Sequence, residues 1–282
     1  MAQLTPEQLK RFDHDGFLVL EDFVSRAACA RLRERAAALV AEFDPSGVVH
    51  IFSTNEQTRT SDDYFLESSD RISFFFEEQA FDDDGQLRQS KERSINKIGH
   101  ALHDLDPVFN RFSRTPKLAA LIADLNFKRP LLVQSMYIFK QPNIGGEVAC
   151  HQDSTFLYTE PMSVVGLWFA LEEATRENGC LWALPGGHKA GLKSRFLRAP
   201  GGGGTRFLVF DDTPWQQEGL VPLEVPEGAL IVLHGQLPHL SRINFSPRSR
   251  HAYTLHVIEG DCHYSADNWL QRSPLLPFRG FA

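Results

Sequence analysis

Leu131-Leu132-Val133-Gln134-Ser135-Met136-Tyr137-Ile138-Phe139-Lys140 is the stretch on which the fold turns. It is aliphatic and aromatic, contains no Gly or Pro, and runs into the turn signal Gln141-Pro142-Asn143. Six more runs of this kind follow, at 164–171, 180–184, 220–225, 229–234, 239–243 and 252–258, separated by Gly, Pro and Asn. Many short strands with turn punctuation predict a jelly roll or sandwich. Upstream of residue 130 the pattern is helical. Thr5 is placed to cap a helix, with Pro6 at its first position, Gln8 closing a capping box and Gly16 at its end. Residues 17–23 alternate towards a strand, Ser25 caps a helix over 26–43, and a third helical region covers about 107–125. Residues 44–94 are polar and charged apart from Phe74-Phe75-Phe76 and predict an excursion packed on the main body. The expected fold is mainly β with flanking helices, one domain over 1–282, with helical support over about 1–129 and the β core over about 130–260.

Within the β region stand His151-Gln152-Asp153, then His239, then Arg250. Two imidazoles and a carboxylate are the ligand set of a non-heme Fe(II) site that leaves half an octahedron open for an organic co-substrate and dioxygen. Residues i and i+2 of a strand share a face, so His151 and Asp153 reach one metal if this stretch is a strand or its end. His-x-Asp alone is a short motif that chance also produces, and its context must carry the argument. His234 and His239 both follow the strand-like 229–233, and either could supply the distal imidazole. Cys150 lies beside His151 but points to the opposite strand face, and reads as a small buried hydrophobe.

Composition narrows the function classes. A formal charge of −7 gives no overall attraction to nucleic acid or to anionic membranes. The opening MAQLTPEQLKRF lacks the basic and then apolar run of a signal peptide, and no apolar stretch approaches the ~18 residues of a membrane span. Arg279-Gly280-Phe281-Ala282 is not a peroxisomal tripeptide. Four cysteines, at 29, 150, 180 and 262, form no Cys-x-x-Cys pair. The expectation is a cytoplasmic protein with reduced thiols, monomeric in the absence of an obvious apolar surface stripe.

Asp15-Gly16-Phe17-Leu18-Val19-Leu20, Gln134-Ser135-Met136-Tyr137-Ile138, His151-Gln152-Asp153, Asn178-Gly179-Cys180-Leu181, Pro185-Gly186-Gly187-His188 and His239-Leu240-Ser241 occur in this order. Together they resemble the phytanoyl-CoA dioxygenase family, from about residue 10 to 270. Ser94-Ile95-Asn96-Lys97-Ile98-Gly99-His100-Ala101-Leu102-His103 and Asn268-Trp269-Leu270 extend the likeness. Pro185-Gly186-Gly187-His188 departs from the usual Pro-Gly-Ser-His, outside the metal set. The resemblance implies a double-stranded β-helix (a cupin-like jelly roll), Fe(II), 2-oxoglutarate as co-substrate, and ascorbate as a reductant. It implies that His151, Asp153 and His239 hold iron and that His239, in register with Arg250, is the distal ligand. It implies that Arg250 pairs with the remote carboxylate of 2-oxoglutarate, while Lys97, Met136, Trp168 and Ser241 line that pocket. The arginine fork suits the task, being charged at any working pH and bidentate towards carboxylates.

The implied reaction is hydroxylation of a small, anionic or acyl-type substrate by dioxygen, with release of succinate and CO2. Relatives that halogenate leave the carboxylate position small, so Asp153 predicts hydroxylation. Two readings compete: a non-catalytic binding module on the same fold, and a cupin-like metalloenzyme, which would need His-x-His with a downstream Glu. Arg248 is the weaker candidate for the carboxylate anchor. His188, His251 and His256 read as ordinary hydrogen-bonded or partly exposed histidines, and Lys97 as coming from outside the barrel. Lys189, Lys193, Arg195, Arg198 and Arg206 fall in a loop with Gly201–Gly204 and no acid: a solvated flexible segment, or a lid that attracts an anion.

Overall fold

Both halves of the chain feed one large sheet. In the computed structural model, which describes residues 3–46, 50–51, 63–202 and 204–281, the strands are β1 (Phe17–Leu20), β2 (Ile72–Phe76), β3 (Ile95–His100), β4 (Pro130–Ile138), β5 (Val148–His151), β6 (Thr159–Glu160), β7 (Val165–Ala170), β8 (Leu181–Ala183), β9 (Ser194–Arg198), β10 (Thr205–Val209), β11 (Val221–Leu223), β12 (Leu230–His234), β13 (His239–Ser241), β14 (Ala252–Glu259) and β15 (His263–Tyr264). The helices are α1 (Pro6–Asp15), α2 (Arg26–Glu42), α3 (Asp63–Glu67), α4 (Leu102–Leu105), α5 (Pro107–Ser113) and α6 (Pro116–Asp124). A seven-stranded sheet runs β1-β12-β7-β14-β4-β3-β2 and faces a four-stranded sheet β11-β8-β13-β5. All pairings are antiparallel. This is the double-stranded β-helix, a jelly roll.

Alternation along the central strands divides the interior in two. Trp168, Ala170, Ile231, Leu233 and Ala252 point inward and pack with Leu181, Ala183 and Leu223 of the smaller sheet. Leu167, Phe169, Val232, Tyr253 and Leu255 point outward and are covered by Leu32 and Leu39 of α2 and by Leu118 and Leu121 of α6. Both faces are therefore dry, and every residue of β7 is buried. Burying each such leucine contributes about 1.5–3 kcal/mol. A third cluster, including Phe65, Phe75, Phe196 and Trp269, closes one end of the sandwich.

The helix signals act as expected at the N-terminus. Thr5 and Gln8 make the reciprocal capping box, and Gly16 ends α1 at φ 82°. A side chain at Gly16 would meet His188 Nδ1 at 2.4 Å, so glycine also allows the 185–188 turn to dock there. Gly186 N donates to Asp15 O at 2.9 Å. The two motifs are thus one contact.

Three expectations need correction. The 44–94 segment is no excursion: it supplies β2, the sheet edge next to β3, although its residues 47–49 and 52–62 lie outside those described. The helical region 107–125 is two helices, because Thr115-Pro116 starts a new one where proline fits only the first turn. The basic loop is a hairpin of β9 and β10. Its Lys193 pairs with Asp211, just beyond the stretch, and its Arg195 with Asp267, far along the chain. The hairpin also exposes Phe207, Leu208, Val209 and Phe210, an apolar row that the monomer expectation did not foresee.

Candidate active site

β5 and β13 are neighbours in the smaller sheet, and His151 and His239 are direct cross-strand partners. Their ring centroids lie 4.3 Å apart. β5 ends at His151, but Gln152 keeps an extended backbone, so Asp153 reaches the same face before the chain turns at Asp153–Thr155. Phe156 N and Leu157 N donate to Asp153 O, and Ser154 N donates to Gly235 O at 2.8 Å, which fixes that turn.

Asp153 Oδ1 is 3.6 Å from His151 Nε2 and 3.7 Å from His239 Nε2. Each ring faces a backbone carbonyl through Nδ1, His151 to Ala149 O at 2.8 Å and His239 to Leu237 O at 2.9 Å. A carbonyl only accepts, so both Nδ1 atoms carry the proton and both Nε2 lone pairs point at the carboxylate. Burial, with the adjacent His151, pushes His239 down to about 4, so its ring is neutral at pH 7. Three acceptors converge within 4.8 Å, an arrangement that a cation satisfies. The donor set of imidazoles and carboxylate fits Fe(II).

The other carboxylate oxygen faces the large sheet. His256 Nε2 of β14 lies 3.4 Å from Asp153 Oδ2. Gly166 of β7, the cross-strand partner of His256, lies beneath the same oxygen, and a Cβ there would sit 2.7 Å from it. His256, expected to be an ordinary histidine, is buried against Asp153. Its place on the inner face of β14, in step with Ala252 and Thr254, is the signal that could have flagged it.

Arg250 is 1% exposed and has no carboxylate within ion-pair distance among the described residues. Its Nε donates to Gly179 O at 3.0 Å and its Nη2 to Ser241 Oγ at 3.3 Å, while Nη1 is buried without a partner. Burial lowers it to about 10, still a cation at pH 7. Lys140 lies alongside, lowered to about 7 by burial and then by the charge of Arg250, with Nζ donating to Gly146 O at 2.5 Å. A buried cation with a spare donor fits an incoming carboxylate. The Asn178-Gly179 motif supports this arginine: Asn178 accepts from Thr175 N at 2.7 Å and sets the turn whose Gly179 carbonyl receives Arg250 and Ser241 Oγ.

Trp168 lies under the guanidinium at 5.1 Å. Met136, Thr254 and Trp168 form one cross-sheet row on the inner face. Lys97 lies within the large sheet, on β3, and not outside the barrel; it is 4% exposed, with Nζ 4.0 Å from Met136 Sδ. Burial pushes its amine well below the usual lysine range. Arg248 is exposed and paired with Glu173 at 3.1 Å, away from the anchor. His234 lies tilted against His188 at 4.8 Å and accepts from Gln236 N, leaving His239 as the distal member of the cluster. Cys150 is not part of the cluster, and burial pushes its thiol up to about 11. Gln152, to which sequence gave no role, donates to Gly191 O and Gln236 O and accepts from Lys193 N, tying the hairpin base to the ligand-bearing segments.

A family model described as phytanoyl-CoA dioxygenase (PhyH) matches residues 12–252. "Phytanoyl-CoA dioxygenase" of Arabidopsis thaliana is 51% identical over 277 residues, 97% of this chain and 96% of that one. "Phytanoyl-CoA dioxygenase domain-containing protein 1" of Mus musculus is 50% identical over 287 residues, 99% of this chain and 98% of that one. Among solved structures, EctD from S. alaskensis with bound Fe superposes with a TM-score of 0.65 at 20% identity, over 96% of this chain and 83% of that chain. EctD with 2-oxoglutarate and 5-hydroxyectoine gives 0.64 at 20% identity, over 98% and 90%. At that identity the structures speak for the fold, whereas the family match and the near full-length relatives speak for descent. The chain belongs to the phytanoyl-CoA dioxygenase family.

Proposed function

We propose that this chain is an Fe(II)- and 2-oxoglutarate-dependent dioxygenase that hydroxylates a small, anionic or acyl-type substrate. The observation that carries the reading is the pairing, inside one sandwich, of a three-acceptor cluster with a buried arginine that has a spare donor and, among the described residues, no acid partner. His151, Asp153 and His239 would hold the iron; Arg250 would hold the remote carboxylate of 2-oxoglutarate, with Lys97, Met136, Trp168 and Ser241 lining its pocket. EctD, which shares the fold, holds Fe and 2-oxoglutarate in its structures, and that supports these two groups here. When bound, iron and 2-oxoglutarate supply the oxidising power, activating dioxygen at the cost of oxidative decarboxylation to succinate and CO2.

The chain's own part is binding and exclusion. Arg250 leaves the interior with a positive charge that an incoming carboxylate neutralises. Trp168 faces the guanidinium and limits its motion. Phe156 packs edge-on against the His151 ring at 5.8 Å and continues through Phe196 to Phe65, an aromatic wall that keeps water from one side of the site. No residue is assigned as a proton donor or acceptor. Asp153 fills the carboxylate position, which favours hydroxylation over halogenation. The test is anaerobic titration of the Fe(II)-loaded protein with 2-oxoglutarate and with other keto acids. A visible charge-transfer band that only 2-oxoglutarate produces supports the reading, and no band with any of them removes it.

A further inference from the structure

We propose that His256 is a positioning residue that clamps the second oxygen of Asp153, so that the carboxylate meets its metal through Oδ1 alone. Gly166 supplies the space for the clamp. This inference rests on reading His151, Asp153 and His239 as a metal centre.

The two carboxylate oxygens have different surroundings. Oδ1 faces His151 Nε2 and His239 Nε2 at 3.6 and 3.7 Å. Oδ2 points the other way, towards His256 Nε2 at 3.4 Å, and is buried with no hydrogen bond completed. Asp153 is 7% exposed and His256 6%, so no bulk water competes for that oxygen. Beneath Oδ2 lies Gly166, where a methyl group would come within 2.7 Å, closer than real contacts permit. His256 and Gly166 are direct partners across β14 and β7, so the floor and the donor belong to one rigid pair of strands. His256 is not a fourth ligand: it addresses the oxygen turned away from the two imidazoles and stands outside the converging cluster.

Held this way, the carboxylate cannot rotate to offer both oxygens. That restraint matters because a co-substrate chelating through two atoms, together with dioxygen, needs three open positions on an octahedral metal, and a bidentate carboxylate would occupy one of them. Outer partners of ligating groups typically carry a 10–100-fold effect on metal affinity.

The experiment is anaerobic Co(II) titration of the full-length chain and of His256→Leu, His256→Gln and Gly166→Ala, following affinity and the visible d–d bands. The wild type is expected to bind one Co(II). His256→Leu should bind about 10–100-fold more weakly with altered bands, and His256→Gln, which keeps a donor, should recover most of both. Gly166→Ala should resemble His256→Leu by displacing the carboxylate from below. Wild-type affinity and bands in His256→Leu overturn the inference while leaving the metal centre intact; if that variant does not fold, the same result in Gly166→Ala overturns it. A wild type that binds no Co(II) removes the metal-centre reading and this inference with it.

Discussion

At the scale of single residues, the family motifs resolve into contacts that hold the His151-Asp153-His239 cluster and Arg250 in place. Gln152 is the clearest case: three hydrogen bonds join it to Gly191, Lys193 and Gln236, segments remote in sequence. Its side chain is buried, so Gln152→Ala leaves backbone groups unpaired and is expected to lower stability by about 2–3 kcal/mol. Urea denaturation would check this, and a loss below about 0.5 kcal/mol would mean the network is dispensable. Arg250 differs, because its buried Nη1 has no partner among the described residues. Arg250→Ala should therefore weaken 2-oxoglutarate binding by about 2 kcal/mol or more, roughly 30-fold, as measured by calorimetry on the metal-loaded protein.

At the scale of elements, the β9–β10 hairpin shows how a segment that reads as a polar loop acquires structure. Phe196 is its inward anchor, 1% exposed and packed against Phe156 and Phe65. Phe196→Ala should cost about 3–5 kcal/mol if the hairpin is integral to the fold. A melting curve unchanged from wild type would make it an appendage. The strands at 130–138, 165–170, 230–234 and 252–259 were legible because they combine β-branched and aromatic residues with clear turn boundaries. β2, β3 and β9 were not: Ile95-Asn96-Lys97-Ile98-Gly99-His100 mixes polar and apolar residues, and only burial by tertiary packing makes it a strand. The convergence of His151, Asp153 and His239, and Arg250 as a buried residue beside Ser241, were expected from fixed spacing and family likeness. His256 was not, because a lone histidine in a strand carries no sign of what faces it.

At the scale of the whole molecule, one buried carboxylate fastens the C-terminal segment to the helical layer. Asp104 is fully buried and contacts Arg114 at 2.6 Å, Arg279 at 2.8 Å, His103 at 3.1 Å and Arg272 at 3.3 Å. Burial works to raise its pKa, but the hydrogen bond and charge of His103, with Arg279 and Arg272, outweigh it and hold the carboxyl well below the usual range. The folded pKa is depressed, so the contribution is present above the unfolded value of ~3.9 and is lost as pH falls through the folded value. Asp104→Asn, which leaves the buried arginines uncompensated, should cost about 3–5 kcal/mol at pH 7. The gap between its urea midpoint and that of the wild type should narrow below about pH 4; a gap independent of pH would contradict the ionised network. Among the described residues no helix is long and apolar enough to cross a membrane.

The most direct test of the account is release of succinate from 2-oxoglutarate by the purified protein with Fe(II), ascorbate and oxygen, beside His151→Ala and Arg250→Ala. Turnover that vanishes in His151→Ala and needs at least roughly 30-fold more 2-oxoglutarate in Arg250→Ala is the predicted result. Turnover that survives His151→Ala, or a 2-oxoglutarate requirement unchanged in Arg250→Ala, would contradict it.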